Sequence, residues 1–598
     1  MEATNRSEDA KAEYSSRLQS ATIQRSNHEQ SHKRLGIAKL GILFLVVVLL
    51  AWYLKSKAVS PLWLIVPAIA FVFLEVEHSR VLGSMRRCSG LMAFYERGLA
   101  RLNNEWAGTG EPGDVFLDPA HPYARDLDLF GKGSLFELLC TARTSAGQEI
   151  LAEWLKRAAS LEEIASRQAA VMELRPRLNL RAELANFGQG IRSEVRPNAL
   201  MAWAEAAPVL QPRRARIVAL LFCVLWLSTI VIWAFSGLWQ FVLLIAAVNL
   251  VVNWRFKPYV TEIISAEKFE NDLTLLAGAL ALFEQESFSS ARLVELKSEL
   301  RAAGALPSHS IARVRRLIES LESRRNLALN AIDPFILWSA QLAFAIEVWR
   351  QKFGASVRHW LAAVGEMEAL MSLAGYAYEH PADIFPEFIE GNALFEVEGL
   401  THPLLPESRA VANDLKLGGE PRLMIVSGPN MAGKSTLIRA VGINGVLAQS
   451  GAPVRARKLR MSRLQVAASI CILDSLQGGV SRFYAEISRL KLIAELASGP
   501  LPVLFLLDEL LSGTNSHDRR VGAEAIVKSL VAKGAMGIIT THDLALTLMA
   551  DDMNGQAGNF HFEDRIENGE LHFNYVLVPG VAQSSNALKL MRSIGLDV

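Results

Sequence analysis

From Ile217 to Phe235 the chain reads IVALLFCVLWLSTIVIWAF without one charged residue, and after a Ser-Gly turn Leu238–Trp254 is apolar again. Two uncharged segments this close together fold as antiparallel helices, buried either in a large core or in a bilayer. The flanks favour the bilayer. Arg213, Arg214 and Arg216 precede the pair and Arg255 and Lys257 follow it, while the turn carries no Lys or Arg, which places both ends on the cytoplasmic side. An earlier pair, Leu40–Leu54 and Pro61–Leu74, lies between Lys33, Arg34 and Lys39 before it and Glu75, Glu77, His78 and Arg80 after it. Each of these runs falls short of the about 20 residues that a bilayer core requires, so the flanking Lys39 and Glu75 must help by snorkelling. A chain that is 51% hydrophobic and only 21% charged needs such buried segments. Four membrane helices contact lipid on this reading. Their even number leaves the remainder in the cytoplasm, as a multi-pass protein of the cell membrane.

The 598 residues have room for several units. Residues 1–34 are polar and without apolar periodicity, the pattern of a disordered cytosolic tail. Residues 35–80 hold the first hairpin, 81–212 a helical region, 213–256 the second hairpin and 257–391 further long helices. From residue 392 to 598 short β-type runs alternate with helices, which gives an α/β domain with a parallel-rich sheet covered on both faces. Cys88, Cys140, Cys223 and Cys471 form no C-x-x-C pair, so neither a disulfide framework nor a thiolate zinc site is indicated. Sixty-two basic against sixty-one acidic residues give a net charge of +1, so any polyanion site must be local.

The C-terminal domain carries the chemistry. In PRLMIVSGPNMAGKSTLIRAVG, Gly428, Gly433, Lys434 and Ser435 have the spacing G-x-x-x-x-G-K-S between an apolar strand and a helix. In such a loop, here Gly428, Pro429, Asn430, Met431, Ala432, Gly433, Lys434, Ser435 and Thr436, backbone N–H groups wrap phosphate oxygens. Lys434 reaches the outer phosphates and the Ser435 hydroxyl ligates Mg²⁺. A second strand, LPVLFLLDE, ends in Asp508, a further Mg²⁺ ligand, and Glu509, a general base for the attacking water. A third, AMGIITTHD, ends at His542, placed to bond the outer phosphate or that water. Ser481, in SLQGGVSRFYAEI, stands at a helix start; it is an N-cap by default and otherwise a group that closes a partner subunit's nucleotide site.

The stretches GPNMAGKST, DELLSGTNSHDR, TTHD and GVAQSSNALKLM together resemble the MutS ATPase domain, with EGLTHPLLPESRAVANDLKLG upstream, including His402, Pro403 and Asn413, similar to its first strands. The region from LFGKGSLFELLC onward, with Thr144, Gly147, Leu151, Trp154, Leu155, Arg167 and Gln168 in register, resembles the MutS core. The resemblance implies an ABC-type P-loop ATPase preceded by an all-α lever. It also implies a head-to-tail homodimer in which Ser481 faces the partner's Lys434 loop, with ATP and Mg²⁺ as ligands and DNA as partner. The chain departs from the family in three respects. No mismatch-reading domain is recognisable, because the polar tail and the first hairpin take its place, and the F-x-E triplet Phe94-Tyr95-Glu96 falls inside a helical run and is a chance match. Ala410 stands where an aromatic would stack on adenine. Leu511 and Ser512 replace the usual Gly and Arg.

Two other functions compete with a membrane-anchored MutS-like ATPase acting on DNA. Membrane spans followed by a C-terminal ATPase are the order of an ABC-type transporter, but no LSGGQ motif occurs and Asn249 and Asn253 are the only notable polar groups inside the spans. A nucleotide-gated scaffold without DNA activity is the other. The basic runs Arg455–Arg463 and Arg313, Arg315, Arg316, Arg324 and Arg325 are the candidate phosphate contacts, against the more usual role of solvated faces.

Overall fold

A computed structural model describes residues 2–56, 61–187, 197–207, 212–264, 268–301, 306–322, 327–429, 432–470, 482–511, 515–567 and 570–581. Two long helices come first, α1 (Glu2–Ser56) and α2 (Ile65–Leu102), packed side by side. Short helices follow: α3 (Leu135–Leu139), α4 (Ser145–Lys156), α5 (Leu161–Leu174), α6 (Leu178–Asn186) and α7 (Pro197–Glu205). The uncharged pair forms α8 (Pro212–Ser236) and α9 (Trp239–Ile264), and α10 (Glu270–Gln285), α11 (Ala291–Arg301), α12 (Pro307–Glu322) and α13 (Leu327–Ile336) lead into α14 (Trp338–Glu379). At 1.5 Å per residue α14 is about 63 Å long, and α4, α5, α7, α8, α9 and α12 all pack along it.

Local sequence sets several of these boundaries. Ser160 and Glu163 close a capping box at the start of α5, and the Thr144 side chain accepts from the Gly147 N–H at the start of α4. The Glu368 carboxylate of α14 in turn accepts from the backbone N–H groups of Arg143 and Thr144 and from the Thr144 hydroxyl. It thereby fixes α4 onto the long helix.

The expected disordered tail is instead the first half of α1. Its sequence is polar, but Ala10, Tyr14 and Ala21 are buried on one side of the helix, and Tyr14 packs on Phe94, Tyr95 and Tyr378. Ala10, Tyr14, Leu18 and Ala21 recur every three or four residues, a helical spacing that the many polar residues between them obscure in the sequence. Phe94 and Tyr95 of the F-x-E triplet are spent on this small core.

Three described helical stretches are long and apolar enough to cross a membrane by length and composition: Glu8–Lys55, Arg214–Ser236 and Trp239–Ile263. The fourth expected span, Pro61–Leu74, is not among them. Its first residues, Pro61–Leu64, form a 3-10 turn, and α2 then meets Glu75 before an apolar helix of spanning length has accumulated.

The C-terminal domain contains β1 (Glu387–Phe388), β2 (Phe395–Leu400), β3 (Asn413–Leu417), β4 (Leu423–Ser427), β5 (Lys458–Met461), β6 (Gln465–Ser469), β7 (Val503–Asp508), β8 (Met536–Thr541), β9 (Ala557–Glu567) and β10 (Glu570–Pro579). Its helices are α15 (Lys434–Ser450), α16 (Arg482–Leu496) and α17 (Ser516–Ala532). The main sheet has the order β10-β9-β4-β8-β7-β6, parallel except for the β9–β10 pair, and a smaller sheet has the order β1-β5-β2-β3. Alternation along β4 separates two cores: Met424 and Val426 pack with α15 and the helical region, whereas Leu423 and Ile425 pack with α16 and α17.

Candidate functional site

Parallel strands that are neighbours in a sheet deliver their C-terminal ends to one edge, and β4, β8 and β7 do so here with Ser427 opposite Thr541 and Thr540 opposite Asp508. After β4 the chain turns through Gly428 (φ 143) and Gly433 (φ 99) into α15. Both glycines have conformations that a side chain resists, and a Cβ on Gly428 would lie 3.1 Å from the Phe562 carbonyl oxygen. Asn430 and Met431 lie outside the described residues; Pro429 and the buried Ala432 flank them.

Lys434 opens α15 almost fully buried, and its ammonium donates to the carbonyls of Gly428 and Pro429 at 2.7 and 2.8 Å. Burial lowers its pKa, against the opposing pull of Glu509 and Asp508. The Ser435 hydroxyl donates to Asp508 Oδ2 at 2.6 Å, and Thr540 donates to the other oxygen of the same carboxylate. Glu509 follows in left-handed backbone (φ 47), its N–H held by Thr540 O and Oγ1, both at 3.2 Å. Its Oε1 lies 3.4 Å from His542 Nδ1, and both side chains are partly open to solvent. Lys434, Ser435, Asp508, Glu509 and His542, named from sequence alone, thus stand around one sheet edge, and the exposed Thr436 lies on the next position of α15. Ser481 lies outside the described residues.

A cavity of about 440 Å³ adjoins the loop, lined by His402, Ala410, Asn413, Gly433, Thr436 and Tyr575 among others. Tyr575 was not anticipated. It lies where the β9–β10 register shifts between Phe573 and Leu577, in left-handed backbone (φ 54). Asn413 fixes this bulge by donating to Tyr575 O at 3.0 Å and accepting from Leu577 N at 2.7 Å. The ring consequently abuts the loop, with Tyr575 Cδ1 3.0 Å from where a Gly433 Cβ would be. His402 Nδ1 accepts from Leu404 N–H, and burial, reinforced by Arg439 and Arg455, lowers its pKa to about 4. It is a neutral imidazole on the cavity wall.

The basic run at 455–463 is occupied. Arg455 donates to the carbonyls of Pro403 and Leu405, Arg457 pairs with Asp414, Lys458 with Glu398, Arg460 with Glu387 and Glu396, and Arg463 donates to Ala158 O. On α12 Arg315 pairs with Glu319, while Arg313 is exposed; Arg324 and Arg325 lie outside the described residues.

Fold and site together define a helical protein that ends in a mixed α/β domain, with a glycine loop, two acids and a histidine gathered at the carboxyl edge of a parallel sheet. Residues 424–597 match the family described as MutS domain V. Over 245 residues the chain is 31% identical to the DNA mismatch repair protein MSH3 of Phaeosphaeria nodorum, covering 40% of this chain and 22% of that one. It is 34% identical over 203 residues to Endonuclease MutS2 of Thermus thermophilus, covering 34% and 26%, and 34% identical over 237 residues to DNA mismatch repair protein MutS of Aquifex pyrophilus, covering 39% and 27%. The similarity to MutS proteins lies in this domain, and the chain spans only about a quarter of the length of these relatives.

Proposed function

We propose that the protein is a MutS-type ATPase that binds and hydrolyses ATP between two copies of itself while anchored in a membrane. The observation that carries this reading is the convergence of Lys434, Ser435, Asp508, Glu509 and His542 beside a cavity large enough for a nucleoside. In this reading the loop from Gly428 to Thr436 cradles the triphosphate. Lys434 exchanges its two carbonyl partners for phosphate oxygens, and Tyr575 and His402 flank the base in place of the aromatic missing at Ala410. Ser435 and Asp508 supply two hard oxygen donors, which suits Mg²⁺, an ion that takes one or two protein oxygens and completes its shell with phosphate and water. Mg²⁺ held there would offset phosphate charge. Glu509 accepts the proton of the attacking water, and His542 orients that carboxylate. Ser481 of the opposing copy closes the site.

Anchoring is supported by the exposed apolar side chains along α8 and α9, among them Leu221, Val224, Leu244 and Val251. Glu509→Ala should leave ATP binding intact and lower turnover by about 10²–10⁴, the usual worth of a general base. Unchanged turnover would remove Glu509 from the mechanism. DNA as partner is suggested by the relatives' names, whereas the intramolecular pairing of Arg455–Arg463 favours a second reading, a nucleotide-gated scaffold that binds protein. A titration of the full chain with homoduplex, mismatched and branched DNA, with and without ATP and at two salt concentrations, separates them. ATP-dependent, salt-sensitive binding supports DNA, and its absence at low salt supports the scaffold.

A further inference from the structure

The short helix α13 and the start of α14 meet at Leu337, which has left-handed backbone (φ 53) and is buried. Side chains of α9, α13 and α14 bridge the backbone at this break, while Asn249 Oδ1 and Trp226 Nε1 are buried without a partner among the described residues. Leu337 N–H donates to Asp333 O at 2.8 Å, and the Asp333 carboxylate accepts from Ser339 N–H and Oγ at 2.7 and 2.8 Å, capping α14. The Phe335 carbonyl, freed by the break, accepts from Asn249 Nδ2 at 2.6 Å. Asn249 is fully buried in the middle of α9, so the polar residue inside the second apolar pair serves this junction.

The depth of the junction follows from its neighbours. The Phe335 ring stacks on Trp226 of α8, with centroids 5.5 Å apart and planes at 18°. Trp226 precedes the end of α8, and Asn249 follows the start of α9, by about ten residues or about 15 Å. That is half the hydrocarbon thickness of about 30 Å. Toward the cytoplasmic side the register continues, with Phe344 of α14 edge-on to Phe256 of α9 at 5.0 Å. From Leu327 to Ile346 Asp333 is the only charged residue, and it is the cap. At the tip Ile332 and Trp338 are 45% and 40% exposed, continuing the apolar surface of α8 and α9.

We propose that α13 and the first turns of α14 are a re-entrant hairpin that dips to mid-bilayer against α8 and α9 and presents Ile332 and Trp338 to lipid acyl chains. This rests on the reading that α8 and α9 span the membrane. Irregular backbone is tolerated at membrane depth only when protein satisfies it, and the bonds from Asp333 and Asn249 do so for the Leu337 and Ser339 N–H groups and the Phe335 carbonyl. A helix of ten residues is too short to cross and long enough to reach the midplane.

The test is photo-crosslinking of the full chain, reconstituted in phosphatidylcholine vesicles carrying a diazirine in mid-acyl position, with adducts mapped by peptide mass spectrometry. Adducts at Ile332 and Trp338 in yields comparable to those at Val224 and Leu244, with background at the water-exposed Val115, are expected. Adducts at Val224 and Leu244 with only background at Ile332 and Trp338 would overturn the hairpin while leaving the anchor intact; a second copy of the chain covering the tip gives this outcome. Background at all four would overturn the anchor and the hairpin with it.

Discussion

Among single residues, the candidate phosphate-binding groups and those that shape the cavity differ in how far a local sequence pattern reveals them. Lys434, Asp508, Glu509 and His542 follow from local patterns: Asp508, Glu509 and His542 lie at the ends of apolar strands and Lys434 follows another across a glycine loop, in a parallel sheet whose strand ends necessarily share an edge. Leu511 shows how left-handed backbone is accommodated without glycine. It has left-handed backbone (φ 55), which disfavours a side chain by about 1–2 kcal/mol, yet that side chain is buried against Gly522. Burial of a leucine contributes about 2 kcal/mol and offsets the strain. Tyr575 had no local signal. Its place depends on a bulge held by Asn413, a residue from the other sheet, and only packing brings it to Gly433. Tyr575→Ala should weaken ATP binding by about 1–2 kcal/mol, roughly tenfold, through loss of a stacking face, and leave the bound-state turnover unchanged. Equal affinity by equilibrium titration would place the base elsewhere.

At the scale of elements, periodicity made the sheet and most helices legible, and it failed where the stabilising partner is distant in sequence. The alternation in β4 and the Ser160–Glu163 box are readable in short windows. The cap of α4 is not, because its acceptor, Glu368, comes from α14. Burial raises the pKa of Glu368 to about 7 despite the donors from Thr144 and Arg143 that lower it. A carboxyl whose pKa is higher folded than unfolded contributes stability that is complete below about pH 4.3, its unfolded value, and lost as pH rises through about 7. The α4–α14 junction should therefore lose hydrogen-exchange protection, corrected for intrinsic exchange, as pH rises from about 4.3 to about 7, and change little above that. Glu368→Gln should remove that pH dependence. Persistence of the same slope in this variant would assign it to another group.

Across the whole molecule, the long helix α14 joins the two ends of the chain's chemistry. At one end it enters the α8–α9 pair, and at the other Glu379 receives Arg101 Nε at 2.6 Å and Nη2 at 2.5 Å, together with the Tyr14 hydroxyl at 3.0 Å. This buried cluster fastens α1 and α2 to the point where α14 passes into the α/β domain. From the other side α15, which begins at Lys434, reaches the helical region through Ser450 Oγ to Trp154 O at 2.9 Å and through Arg439 to Asp128 at 2.8 Å. The glycine loop is thus joined by packed elements to α14, which meets α8 and α9 directly and meets α1 and α2 through Arg101, Tyr14 and Glu379. Removing one partner of a buried ion pair costs about 3–5 kcal/mol, because the other charge remains in the interior. Arg101→Ala should accordingly expose α1 and the end of α2 to hydrogen exchange while leaving β4, β7 and β8 as protected as before, since these strands draw their stability from separate cores. If exchange rose equally in the sheet, the N-terminal helices would be integral to the stability of the α/β domain; if α1 stayed protected, Tyr14 and its aromatic neighbours alone would suffice to hold it.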